Sequence, residues 1–199
     1  MEKRPEVSVI MSVYDPRPFR QLEEAVDSVL EQTFSDFELL LYNDGSCEAV
    51  SERIRQLAKR DPRILYLEGD ENRGIASGLN CCIGKARGKY IARMDGDDLL
   101  LPQRFERQVR FLEEHQEYGF VGTGAWLFDE DGIWGERLMR EKPKREDFLC
   151  FSPYIHPSVM FRRSIFEKCG FYDESERVRR CEDYELFVRL HILGCRGYN

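Results

Sequence analysis

The chain predicts an α/β protein with a mostly parallel central sheet flanked by helices. Three observations predict it. Apolar, β-rich runs alternate with segments of helical period through the first half. Polar, acidic clusters follow two of those runs, Asn43-Asp44-Gly45-Ser46 and Met94-Asp95-Gly96-Asp97-Asp98. A third, Cys181-Glu182-Asp183-Tyr184, opens a late helical pattern. Carboxylates beside a core are costly unless something pairs with them, so their placement carries information.

The elements follow in order. Val7 to Tyr14 is a continuous apolar run, the pattern of a strand buried on both faces, and Asp15-Pro16-Arg17-Pro18 breaks it. Leu22, Ala25, Val26, Val29 and Leu30 fall on one helical face. Phe37 to Tyr42 predicts the second strand, and Val50, Ile54, Leu57 and Ala58 the second helix. Ile64 to Leu67 is the third strand, Ile75 to Ala86 the third helix, and Tyr90 to Met94 the fourth strand. This alternation implies parallel strands with helical crossovers on both faces. Ligands of such sheets bind beyond the carboxyl ends of the strands, where Asp15, Asp44 and the Asp95 cluster fall.

The second half is less regular. Pro102 precedes a helix carrying Phe105, Val109 and Leu112. Phe120 to Phe128 and Ile133 to Leu138 predict a hairpin around Asp129-Glu130-Asp131-Gly132. Ser158 to Phe161 is a short strand, Arg163 to Lys168 a short helix, and Glu182 to Leu193 the last helix.

Length and composition bound the function. At 199 residues the chain fits one domain with a sizeable core. A net charge of −7 argues against nucleic acid as a partner. Basic runs at Lys142-Pro143-Lys144-Arg145, Arg162-Arg163 and Arg177 to Arg180 read as solvated surface, or as contacts to phosphate or anionic lipid. Seven cysteines, without Cys-x-x-Cys, fit free thiols in a reducing cytoplasm. No signal peptide or apolar stretch of bilayer length is seen.

The acidic loop Asp95-Gly96-Asp97-Asp98 offers closely spaced oxygen ligands suited to Mg²⁺ or Mn²⁺. Gly96 would let a diphosphate approach closely. The plainer reading is a loop whose Asp97 or Asp98 caps the next helix. Asp44 is either turn chemistry or an acceptor for a base or ribose. Asn72-Arg73-Gly74, before a helix, offers a donor and a cation to phosphates. Arg93 is placed to pair with Asp44 or Asp95 as support. Glu182 and Asp183 either answer the helix macrodipole or hold a general base at a rigid helix start. His156 is either a plain polar contact or a group that meets a metal or phosphate. The glycine fingerprints of dinucleotide and P-loop sites and the Gly-x-Ser-x-Gly elbow are absent from the sequence.

Taken as an ordered set, these pieces resemble the family 2 glycosyltransferases, inverting enzymes with the GT-A fold, a Rossmann-like nucleotide-diphospho-sugar transferase fold. The set also includes His156-Pro157-Ser158-Val159-Met160-Phe161-Arg162 and Glu182-Asp183-Tyr184-Glu185-Leu186-Phe187. The resemblance implies residue roles. Tyr14, Asp15 and Asp44 would hold the base of the nucleotide, usually uracil, and Asn72, Arg73, Arg93 and Gly96 would line the donor pocket. Asp95 and Asp97 would form the DxD motif, with Asp97 the direct ligand of Mn²⁺ or Mg²⁺ and His156 near it. Asp183 would be the catalytic base and Glu182 its support.

The resemblance further implies a nucleotide-diphospho-sugar donor and a glycan or lipid-linked acceptor, in the cytoplasm or at the inner face of the membrane. It divides the chain into a nucleotide-sugar-binding half, 1–98, and an acceptor-side half, 99–199. Two departures stand out. Asp15 takes the place of a common Asn, and the chain stops soon after the Glu182-Asp183 helix, as a minimal member or a truncated one would. A non-catalytic nucleotide-sugar-binding module is the competing reading, and a nucleotidyltransferase of related fold a third.

Overall fold

The computed structural model describes residues 4–149 and 151–199. Cys150, counted among the thiols above, lies outside them.

The first half forms as the alternation predicts. Strand β1 (Val7–Val13) leads to helix α1 (Phe19–Leu30), β2 (Phe37–Asn43), α2 (Glu48–Ala58), β3 (Ile64–Glu68), α3 (Ile75–Lys85) and β4 (Tyr90–Arg93). Helix α4 (Arg104–Glu114), β5 (Phe120–Val121), β6 (Ala125–Asp129) and β7 (Gly132–Arg137) follow. The chain then forms β8 (Met160–Arg162), α5 (Ser164–Cys169), α6 (Glu182–Ile192) and β9 (Gly197–Tyr198).

The main sheet has seven strands in the order β3-β2-β1-β4-β8-β5-β9, and β6 and β7 pair separately. All pairings in the main sheet are parallel except those of β8, which is antiparallel to β4 and β5. Alternation along β1 divides the core. Val7, Val9, Met11 and Val13 pack with α1, α2 and α4, whereas Ile10 packs with α3, α5 and α6. Every residue of β2 and β4 is buried, as a parallel strand covered on both faces requires.

Two expectations are corrected. The predicted hairpin arm Phe120 to Phe128 is split, because Phe120 and Val121 join the main sheet between β8 and β9. The chain leaves that sheet at Gly122 and Thr123, whose N–H groups are taken by the Tyr198 carbonyl (2.7 Å) and Ser158 Oγ (3.0 Å). The strand predicted from Ser158 starts at Met160 instead. His156–Ser158 forms a 3-10 turn, closed by the Ser158 N–H and hydroxyl donating to the Ile155 carbonyl at 2.9 and 2.7 Å. Strand β9 escapes a reading by periodicity because it has two residues.

Candidate functional site

The strand order reverses between β1 and β4, since the chain steps outward to β2 and β3 before returning on the other side of β1. Such a reversal leaves a crevice beyond the carboxyl ends of the two strands. Asp15 and Asp95 follow those two ends and Asp44 follows β2, so the three acidic strand ends share one edge. Gly96 is packed against the end of β1. A Cβ there would lie 2.7 Å from Val13 Cγ1, so the glycine admits the acidic loop to the core side. That is a different reason for glycine from the approach of a diphosphate.

The loops after β1 and β2 hold each other. Asp15, at a φ of 39°, donates its N–H to Ser46 Oγ (2.9 Å) and accepts the Cys47 N–H on Oδ1 (3.0 Å). Asn43 reaches Ser51, Tyr66 and Glu68 through Nδ2 and accepts the Ser46 N–H on Oδ1. Asp44 is 2% exposed, and its two carboxylate oxygens accept the N–H groups of Arg73 (3.1 Å) and Gly74 (2.8 Å). These charge-assisted bonds fix the loop that leads into α3. Asp44 thus anchors loop 72–74 at the strand-end edge, with the Arg73 and Asn72 side chains exposed, and Tyr14 is 53% exposed at the end of β1.

The acidic loop rests on two buried arginines. Arg93 is ion-paired with Asp95, the second of the two partners the sequence offers, while its Nε has no hydrogen-bond partner. Arg104 donates to the Arg93 carbonyl (3.0 Å) and to Gln108 Oε1 (3.0 Å). Burial, then the neighbouring Arg93, pulls the Arg104 guanidinium down to about 9. Burial first, then the charges of Asp95 and Asp97, pushes the Asp98 carboxyl up.

This crowding of carboxylates is what a bound cation would relieve. The hard oxygen donors Asp95 and Asp97 fit Mg²⁺ or Mn²⁺, which takes one or two carboxylates and fills its shell with phosphate oxygens and water. Among the described residues no group of three or more His, Cys, Asp or Glu is gathered at metal-binding distance. His156 is buried beneath this edge. Its Nε2 is 2.7 Å from the Tyr172 hydroxyl, and burial, with Arg93 nearby, holds the imidazole well below its ordinary pKa.

Helix α6 opens with three acids, Glu182, Asp183 and Glu185. Glu185 is committed to Arg189 (2.7 and 2.9 Å), which also grips the carbonyls of Cys169 and Phe171. Glu182 and Asp183 are half-buried and make no ion pair or side-chain hydrogen bond among the described residues. Stretch 170–174, just before them in the chain, carries Tyr172, whose hydroxyl lies 2.7 Å from His156 Nε2. Burial pushes this phenol upward, and its charged surroundings are Arg93, Asp183, Asp95 and Glu182.

Tyr172, Arg104 and Asn80 were not singled out in the sequence. Each acts through contacts distant along the chain, and periodicity carries no signal of those. The basic run Arg162-Arg163 is partly structural, with Arg162 gripping the carbonyls of Tyr118, Leu112 and His115. A cavity of about 510 Å³ lies at the opposite edge of the sheet, lined by Arg4, Arg87, Lys89, Arg162 and Arg163 among others. Arg87 and Lys89 are paired there with Glu38 and Glu113. Cys47, Cys81, Cys82, Cys169, Cys181 and Cys195 are free thiols. Among the described residues no helix is long and apolar enough to cross a membrane.

Comparison with known proteins agrees with this architecture. The chain is 39% identical over its whole length to the putative glycosyltransferase EpsE of Bacillus subtilis, covering 71% of that protein. It is 33% identical to the amylovoran biosynthesis glycosyltransferase AmsE of Erwinia amylovora, covering 94% of this chain and 70% of the relative. Among solved structures, the mannosyltransferase PcManGT from Pyrobaculum calidifontis, in complex with GDP-Man and Mn²⁺, superposes with a TM-score of 0.75 at 19% identity, over 99% of this chain and 55% of that one. TarS of S. aureus in complex with UDP-GlcNAc gives 0.75 at 15% identity, over 96% and 55%. The fold is therefore GT-A, and the chain spans just over half the length of these solved structures. Residues 8–170 match the family described as Glycosyl transferase family 2, and the chain belongs to that family.

Proposed function

We propose that the chain is a metal-dependent inverting glycosyltransferase. It moves a sugar from a nucleotide-diphospho-sugar, a UDP-sugar by our reading, to a hydroxyl of a glycan or lipid-linked acceptor in surface polysaccharide synthesis. The observation that carries the reading is the single sheet edge shared by Asp15, Asp44 and Asp95, where both carboxylate oxygens of Asp44 anchor loop 72–74. The names of relatives in amylovoran and O-antigen biosynthesis support the pathway class. The GDP-Man, UDP and UDP-GlcNAc complexes of structural neighbours support the donor class.

In this reading Tyr14, Asp15 and the Asn72-Arg73-Gly74 loop receive the nucleotide. Mn²⁺ or Mg²⁺, when bound by Asp97 and Asp95, would neutralise charge on the departing diphosphate. Asp183 accepts the proton of the acceptor hydroxyl as its oxygen attacks the anomeric carbon. The new carbon–oxygen bond forms on the face opposite the diphosphate while the bond to the phosphate oxygen breaks, so configuration inverts. Glu182 supports the helix start, and Arg93 holds Asp95 in place.

Calorimetric titration with UDP, with and without Mn²⁺, tests the reading. Metal-dependent binding that Asp97→Ala abolishes is expected. UDP binding that ignores metal and survives Asp97→Ala would overturn the metal assignment. Donor binding without release of UDP to any acceptor or to water would favour a nucleotide-sugar-binding module of the same fold.

A further inference from the structure

The stretch 170–174 bridges the two sides of the site. Asn80, on α3, clamps the main chain of Tyr172 in both directions. Its Oδ1 accepts the Tyr172 N–H at 2.9 Å, and its Nδ2 donates to the Tyr172 carbonyl at 2.9 Å. The same Nδ2 donates to Glu174 Oε1 at 2.8 Å. The Arg73 guanidinium lies 3.8 Å from the other oxygen of Glu174. The Tyr172 ring turns inward, packs against His156 and Phe166, and sets its hydroxyl on His156 Nε2. The preceding carbonyl, of Phe171, accepts from Arg189 at 2.7 Å, and Arg189 is the partner of Glu185 in the first turn of α6.

Loop backbone groups are satisfied by other backbone, by side chains or by water. Here one half-buried amide takes both backbone groups of a single residue, and a third bond from it reaches the carboxylate facing Arg73. Contacts therefore run without a gap from loop 72–74, through Glu174, Asn80 and Tyr172, to the start of α6. Glu174 is the shared element. It is hydrogen-bonded by Asn80 and held more loosely by the exposed Arg73. An anion bound at loop 72–74 competes with Glu174 for Arg73, which changes the force on stretch 170–174.

We propose that Asn80 and Tyr172 are positioning residues that couple occupancy of the donor side, at Asn72 to Gly74, to the placement of Asp183 on α6. The proposal rests on the donor-binding reading above. It assigns the coupling to two residues that need touch neither the donor nor the acceptor.

Hydrogen exchange on the full chain tests it, with UDP and Mn²⁺ as the probe. In the unaltered protein the probe is expected to slow exchange both at 72–75 and at 176–185, the latter by ~10-fold, a typical coupling between sites. In Asn80→Ala the slowing at 72–75 remains and that at 176–185 disappears. Tyr172→Phe keeps the ring and the clamp and loses only the bond to His156. It is expected to weaken the response at 176–185 while leaving that at 72–75 intact.

A purely structural role would raise exchange at 170–185 without the probe and leave the probe-dependent difference unchanged, which would overturn the proposal. So would an undiminished response at 176–185 in both variants, or no response there in the unaltered protein. Absence of slowing at 72–75 in the unaltered protein would overturn the donor-binding reading itself, and the coupling with it. The two failures are thereby told apart.

Discussion

The carboxylate of Asp44 accepts the backbone N–H of Gly74 at 2.8 Å, with Arg73 donating to the other oxygen at 3.1 Å, so a strand end and a helix start are joined by one buried side chain. Asp44→Asn keeps the shape but turns one acceptor into a donor facing an N–H. The expected cost is about 1.5–3 kcal/mol, the worth of a hydrogen bond to a charged group. Urea unfolding measures it. Affinity for UDP is expected to fall with it, because the loop that bears Arg73 loses its anchor.

Gly96→Ala probes the packing of the acidic loop. The new methyl would meet Val13 Cγ1 at 2.7 Å and Leu22 Cδ1 at 3.3 Å. Overpacking of this kind costs roughly 1–3 kcal/mol, read as a lowered denaturant midpoint. The loop is also expected to shift outward, lowering the affinity for Mn²⁺ in the presence of UDP.

Asp183→Asn is expected to leave UDP binding unchanged and to slow transfer by about 10²–10⁴-fold, the usual share of a general base. Single-turnover kinetics with a competent donor and acceptor separate the two effects. A normal transfer rate would remove Asp183 from the role of base.

The buried His156 predicts a pH dependence of stability. Its imidazole is held below the ordinary value of 6.5, so the unfolded chain binds the proton more readily than the folded one. Its contribution is fully present above about pH 6.5 and is lost as pH falls below that value towards the folded pKa, with a slope of at most ~1.4 kcal/mol per pH unit. His191, also lowered by burial, adds in the same direction. Denaturation at pH 7.5 and 5.5 should therefore show lower stability in acid, and His156→Gln should reduce the difference without removing it.

Much of the fold was legible because its elements are long and regularly patterned. The short, β-rich apolar runs around Val7, Phe37 and Tyr90, each bounded by turn residues, fit buried strands, and the spacing of Leu22, Ala25, Val26 and Val29 fits a helix. The acidic edge was legible for a topological reason, since parallel strands deliver their carboxyl ends to one side. The partners were not legible. Nothing local announces that Asp44 binds the backbone of Arg73 and Gly74, that His156 meets Tyr172, or that Gly96 makes room for Val13. Those facts depend on which loops face each other after the sheet closes. The two-residue strand β9 was missed because periodicity needs more residues than it has, and β5, also of two residues, was read as the start of a longer hairpin arm for the same reason.

The single reversed strand, β8, has a consequence for how such a protein can diversify. Strand β5 ends, and β8 begins, at the same edge of the sheet as Asp44 and Asp95. The excursion between them, with the β6–β7 hairpin, is stapled at its root by the Thr123 N–H on Ser158 Oγ. A loop closed at its base tolerates changes of length cheaply, about 0.6 kcal/mol for each doubling. The seven-stranded frame can thus keep the edge that carries Asp44 and Asp95 while this one graftable segment is lengthened, shortened or exchanged beside it.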